Sequence, residues 1–228
     1  MTTSPALPRA LVSTGTLREN AAAAVAAGGQ LADLRADALG HGIYDAARVM
    51  QDAGVPAVLV DDSDLAVELR DSGIVALTAG EPDIDVVELF GLGTQRPVLE
   101  LRGHVHSTKR LRAGEAVSYG YTHRATDDTT IALVTGGYAQ GIVRSLGNRA
   151  SAEIAGQLHP IVGRVAMDVC VIDLQDPQSR VQAGDDAVYF GGVGPARTTL
   201  ASWAELTGLT LAELVTVAGS KAVRTWKR

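Results

Sequence analysis

Lysine is scarce in this chain. It occurs only at Lys109, Lys221 and Lys227, so residues 1–97 contain none. The first part of the sequence therefore offers no side-chain amine for nucleophilic chemistry. Cysteine is represented by Cys170 alone, inside the apolar run V-A-M-D-V-C-V-I. That excludes an intrachain disulfide and points to a reducing compartment. Nothing beside Cys170 would activate it, so it reads as a core thiol. Aromatic residues are 4% of the chain, leaving little for base stacking. Basic residues are not in excess: the formal charge is −6 and the pI about 5.3. Nucleic acid and anionic membranes are thereby disfavoured as partners. No apolar run is long enough to span a bilayer. The opening residues M-T-T-S-P-A-L-P-R-A lack the basic and apolar regions of a secretory signal. A cytoplasmic location is the expectation.

What is present is an ordinary globular composition, 46% hydrophobic over 228 residues, enough for one large or two modest domains. Residues 1–9 read as a tail and Ala10–Ser13 as a short strand. Thr16 and Glu19 form a capping-box pattern that predicts an alanine-rich helix to Ala27, stopped at Gly28. Gln30–Leu34 is strand-like. Ile43, Ala46, Ala47 and Met50 recur at helical spacing. Ala57–Val60 predicts a strand, Ser63–Arg70 a helix and Ile74–Leu77 another strand. Such alternation predicts a parallel sheet of βα units, whose functional residues gather at the C-terminal strand ends. Arg35, Asp37 and His41 fall there.

The pattern changes near Pro97. Val98–Ser107, Ala116–Tyr121, Thr130–Thr135, Ile161–Val165, Val169–Leu174 and Ala187–Phe190 read as strands separated by turn residues. Two helices, Leu200–Leu206 and Leu211–Ala218, come late. Two domains are expected, 1–96 of βα type and 97–228 mainly β, the latter a small barrel or sandwich.

Several motifs carry a family resemblance. V-S-Y-G-Y-T (117–122), G-G-Y-A-Q-G-I-V-R-S-L-G-N-R (136–149), P-I-V-G-R-V-A-M-D (160–168) and R-T-W-K-R (224–228) resemble, in order and spacing, the C-terminal domain of alanine racemases. L-A-D-L-R-A-D-A-L-G-H-G (31–42) resembles the stretch of that family where a barrel strand ends in K-A-D-A-Y-G-H-G. There the lysine forms a Schiff base with pyridoxal phosphate (PLP). D-V-V-E-L-F-G-L-G (85–93) is similar to the segment that closes the family's eight-unit barrel. Between Pro82 and that segment about half of such a barrel is missing. The resemblance implies a truncated (β/α) half-barrel followed by an alanine-racemase-type C-terminal β-barrel.

Residue by residue, the resemblance sets Arg35 at the lysine position. A guanidinium remains protonated and is a poor nucleophile. Arg35 either binds a phosphate or carboxylate or is a surface or ion-paired arginine, with Asp37 as a candidate partner. Leu39 stands where the family has a tyrosine near the cofactor phosphate. His41 is retained and reads as structural. Tyr119 matches the family's second acid/base, which acts in the partner subunit's site; the alternative is a packed strand tyrosine. Met167 and Asp168 match a pair whose methionine backbone contacts the substrate carboxylate across the dimer. Tyr138 matches an entryway tyrosine, Gln140 replaces an aspartate beside it, and Trp226 replaces a tyrosine.

These departures imply a degenerate family member that does not hold PLP covalently and is inactive alone, with a binding, assembly or regulatory role. One alternative is a working PLP-dependent racemase interconverting L- and D-alanine. Another is a partner that completes the site of a full-length racemase. A homodimer is expected, a heterodimer with a full-length racemase is possible, and a small amino-acid-like ligand would suit the pocket. Neither nucleic acid nor membrane is expected as a partner.

Overall fold

The computed structural model describes residues 7–93, 95–117, 120 and 122–227. Its first part runs β1 (Arg9–Ser13), α1 (Thr14–Ala26), β2 (Leu31–Asp33), α2 (Arg35–Leu39), α3 (Ile43–Asp52), β3 (Ala57–Leu59), α4 (Ser63–Asp71), β4 (Ala76–Leu77) and α5 (Val86–Leu89). Helix α1 begins earlier than the expected Thr16 cap. Ser13 is the cap, its hydroxyl accepting from the Thr16 amide at 3.2 Å, while Thr16 itself is buried in the first turn. The alanine run then propagates the helix with little side-chain entropy to lose. Helix α3 buries Ile43, Ala46, Ala47, Val49 and Met50, the stripe expected from their spacing.

Strands β2, β3 and β4 form a parallel sheet in that order. Ile84 adds a parallel bridge to Ala32, so four segments make an arc. The chain returns from β4 to Ile84 along β2 without a helix. Asp83 anchors that return: its amide donates to the Leu31 carbonyl, and its carboxylate accepts from the Gln30 and Leu31 amides at 2.9 and 2.8 Å. Those backbone donors, Leu31 first, hold the Asp83 carboxyl below its usual range.

The second part comprises β5 (Leu99–Leu111), β6 (Ala116–Val117), β7 (His123–Arg124), β8 (Thr129–Thr135), β9 (Ser151–Ile154), β10 (Gln157–Val162), β11 (Val169–Asp173), β12 (Asp186–Phe190), α6 (Thr199–Thr207), α7 (Leu211–Lys221) and β13 (Val223–Lys227). Six strands close into an antiparallel barrel in the order β5-β12-β9-β10-β11-β8 and back to β5. Closure leaves these strands no unpaired flank. The long β5 makes it possible: its first half pairs with β12 and, after a bulge between Val105 and Ser107, its second half pairs with β8. The expected strand over Ile161–Val165 instead ends at Val162, where Gly163 takes φ +73°, and begins at Gln157 in a hairpin with the unanticipated β9.

The first strand crosses the expected division at 96/97. β1 pairs antiparallel with β5 and parallel with β13, so it belongs to the sheet of the second part. Its register sets Arg9 opposite Arg102, a repulsive pair on its own. Asp186 accepts from both guanidinia, and Glu100 accepts from the Arg102 Nε at 2.5 Å.

Candidate functional site

The residues after β2 adopt an uncommon conformation. Ala36, Asp37 and Ala38 have φ 53 to 56° with ψ 44 to 52°, and Leu39 follows with φ 51°. This is a turn of left-handed helix, costing roughly 1–2 kcal/mol per L-residue. It persists only because its surroundings hold it. The Asp37 carboxylate accepts the Ile43 amide at 2.8 Å, capping α3, and its other oxygen accepts from Arg224 of β13. His41 is fully buried, stacks on Phe90 with centroids 4.3 Å apart, and donates from Nδ1 to the Ala38 carbonyl at 2.8 Å. Among the described residues its Nε2 has no hydrogen-bond partner. Burial pushes its pKa down to about 4, so the ring is neutral. This supports the structural role expected of it.

The turn also touches the second part through backbone. A Cβ on Gly40 would lie 2.7 Å from the Thr216 carbonyl oxygen, and one on Gly219 would lie 2.5 Å from the Gly40 oxygen. Only glycine at both positions allows α2 and α7 so close.

Arg35 sits at the C-terminal end of β2, as expected, but its partner is Asp33 rather than Asp37. Nε and Nη2 donate to the two Asp33 oxygens at 2.9 and 2.5 Å. The correction follows from the turn at Leu34 (φ −113°, ψ 16°), which ends the strand and lets the Arg35 amide also donate to Asp33 at 3.0 Å, whereas Asp37 is turned away by the left-handed turn toward Arg224. The Arg35 hydrogen bond holds the Asp33 carboxyl below its usual range. Asp61, at the end of β3, accepts the Ala36 amide at 2.8 Å. Leu39 is half-buried and packs against the main core. The strand end thus carries a guanidinium already engaged by a carboxylate, a second carboxylate, and an aliphatic side chain.

A second group lies on the barrel. The amides of Gly136, Tyr138 and Ala139 donate to the carbonyls of Asp168, Ala166 and Met167 at 2.9, 2.9 and 3.0 Å. A Cβ on Gly137 would meet the Met167 oxygen at 2.2 Å, so the two loops are fused backbone to backbone. The fusion presents Tyr138 and Met167 outward, 42% and 55% exposed. The Arg144 guanidinium lies 5.4 Å from the Tyr138 ring centroid. Gln140 donates to the exposed Asp168 at 3.3 Å. Tyr119 lies outside the described residues. Cys170 is buried, donates to the Gly136 carbonyl, and is pushed up to about 12 by burial, which makes it inert as expected.

Helix α7 lies between the two groups: Gly219 meets Gly40 on one side, while Ala218 meets Gly141 on the other. Within one chain Tyr138 and Met167 therefore do not join Arg35. Among the described residues no cluster of His, Cys, Asp or Glu is arranged to hold a metal ion. No single described helix is long and apolar enough to cross a membrane. Asp33, Asp61 and Arg224 were not singled out from sequence. Asp33 was legible in principle, as an acid two residues before Arg35 whose carboxylate can accept that residue's amide across a turn.

The sequence profile described as "Alanine racemase, C-terminal domain" matches residues 98–226. An alanine racemase from Mycolicibacterium vanbaalenii is 40% identical over 163 residues, covering 72% of this chain and 40% of that protein. The chain belongs to the alanine racemase family. An alanine racemase from Mycolicibacterium smegmatis is 36% identical over 200 residues, covering 87% of this chain and 49% of that protein. The chain thus spans less than half the length of these relatives. Among solved structures, the alanine racemase from D-cycloserine-producing Streptomyces lavendulae superposes with a TM-score of 0.83 at 19% identity, the alignment spanning 99% of this chain and 98% of that one. That likeness confirms the fold expected from the motifs.

The residues at the strand end do not fit covalently bound PLP. An imine needs an amine that can shed its proton, and position 35 carries a guanidinium clamped by Asp33. The side chain at position 39 is apolar and offers no hydrogen bond to a phosphate.

Proposed function

We propose that this alanine racemase relative does not hold PLP as a Schiff base and does not interconvert alanine enantiomers by itself. Its role is then one of binding, assembly or regulation. The observation that carries this reading is the two-bond pairing of Arg35 with Asp33 at the strand end. The purified chain mixed with PLP is expected to show no internal-aldimine absorbance and no exchange of the alanine Cα hydrogen above a contamination control. Either signal would sink the reading. Restoring Arg35→Lys alone leaves both absent. An ammonium there inherits Asp33 as counter-ion, which favours its protonated form, and the apolar Leu39 still offers no hydrogen bond to a phosphate.

The outward presentation of Tyr138 and Met167 favours a second reading, in which the barrel completes the site of a full-length racemase. Mixing this chain with a full-length racemase whose own tyrosine matching Tyr119 has been replaced would then restore turnover. The recovery should vanish with Tyr119→Phe in this chain. Absence of both a complex and recovered turnover ends the idea.

A further inference from the structure

We propose that the junction of the two parts holds a site for a short aliphatic carboxylate that bears no amino group. A cavity of about 50 Å³ lies where the segment after α5, the first residue of β5, the last of β12 and the helices α6 and α7 meet. Its wall is Phe90, Leu92, Leu99, Phe190, Leu200 and Val215, all buried. Its mouth carries the exposed Arg197 and Thr198. Small-molecule sites have this build, an apolar wall with a few polar groups that fix orientation.

Size and charge together select the ligand. A water needs about 10–15 Å³ of such volume, so the cavity takes about four non-hydrogen atoms. That is the branched four-carbon tail of isovalerate, not a ring or a long chain. The carboxylate then lies at the mouth beside Arg197. A guanidinium matches a carboxylate with two parallel bonds, and its several donors serve more than one acceptor at once. Thr198 adds a hydroxyl, and α6 begins at Thr199, which sets the positive end of its dipole at the same rim. Among the described residues no Asp or Glu lines the cavity. An α-ammonium on the ligand would meet a guanidinium and no counter-charge. Valine, which is isovalerate with that ammonium added, is therefore refused. The larger groove beside Ile84 carries Asp83, Asp85 and Glu88 and repels the same anion. Occupancy is felt at the strand-end site through Phe90. That ring walls the cavity and also stacks on His41, which donates to Ala38 in the left-handed turn. The inference goes beyond the proposed loss of PLP chemistry and does not depend on it.

The test is an NMR titration of the full chain with sodium isovalerate. Saturable binding with a Kd on the order of 1 mM is expected, with movement of the His41 imidazole resonances. Valine and the uncharged isovaleramide should each bind at least about 10-fold more weakly. Arg197→Gln should weaken isovalerate by about 10-fold and leave isovaleramide unchanged, which separates loss of charge from loss of fold. Ala201→Phe places a ring in the mouth from an exposed position. It should abolish isovalerate binding while the far-ultraviolet spectrum and melting of the unliganded chain stay as in the parent. Each of the following overturns the inference: no saturable binding of isovalerate, saturation without movement of the His41 resonances, valine or isovaleramide bound as tightly, or undiminished isovalerate affinity in Arg197→Gln or in Ala201→Phe.

Discussion

Gly219→Ala is expected to destabilise the protein by about 2 kcal/mol or more, although helix propensity alone predicts the opposite. Gly219 lies inside α7, where alanine is favoured over glycine by roughly 1 kcal/mol. Against that gain stands the backbone of Gly40. A Cβ at 219 would sit 2.5 Å from the Gly40 oxygen, 2.9 Å from its carbonyl carbon and 3.2 Å from its Cα. None of these atoms belongs to a side chain that can rotate away. The left-handed turn must move, and it is already held in a conformation that L-residues disfavour. Moving it disturbs the Arg224 contacts with Asp37 and Gly40. Gly15→Ala is the control. Gly15 lies in the first turn of α1 with nothing within 4 Å of a Cβ, and the substitution should stabilise by about 0.5–1 kcal/mol. Urea denaturation of both variants measures the two signs. A Gly219→Ala protein as stable as the parent would show that α2 and α7 are not in backbone contact.

The βα alternation of the first part and the strand-rich second part were legible because hydrophobic period, caps and glycine stops are local signals. Leu31–Asp33, Ala57–Leu59 and Ser63–Asp71 form close to where spacing placed them. The placement of β1 was not legible. Ala10–Ser13 reads as a strand, but nothing local says that it joins β5 and β13 rather than β2. That choice is made by partners about 90 and more than 200 residues away.

The candidate site divides in the same way. The strand-end position of Arg35, Asp37 and His41 followed from the alternation, and the loss of an amine at position 35 is plain in the residue itself. The partners were decided by conformation. The turn at Leu34 ties Arg35 to Asp33, and the left-handed turn swings Asp37 to an arginine 187 residues away. A left-handed turn in A-D-A-L is invisible to propensity, since none of its four residues is glycine. It is sustained by Gly40, His41 and the clamp from β13, contacts that exist only once both parts have folded together.

That dependence leads to a pH effect centred on His41. In the unfolded chain its imidazole titrates near 6.5, while burial lowers the folded value to about 4. Between those two values the unfolded state binds more protons than the folded one, so stability rises with pH. The contribution is complete above pH 6.5 and lost progressively as pH falls through that window, the total being about 3 kcal/mol by pH 4. His104 and His159 are also shifted down, burial being the first cause of each, and add in the same direction. The charged groups facing His41 do not reverse the sign: Asp37 favours its protonation and Arg224 opposes it, and both are outweighed by burial. A protonated Nε2 would be a buried donor without an acceptor, next to Phe90. Acid should therefore first loosen the left-handed turn, and with it the contact between α2 and α7. Denaturation measured from pH 7 to 4.5 gives the slope, and a His41→Phe variant should flatten it while retaining the ring stacked on Phe90. The imidazole resonances of the native protein test the cause directly. A native His41 that titrates near 6.5 would remove the basis of the prediction.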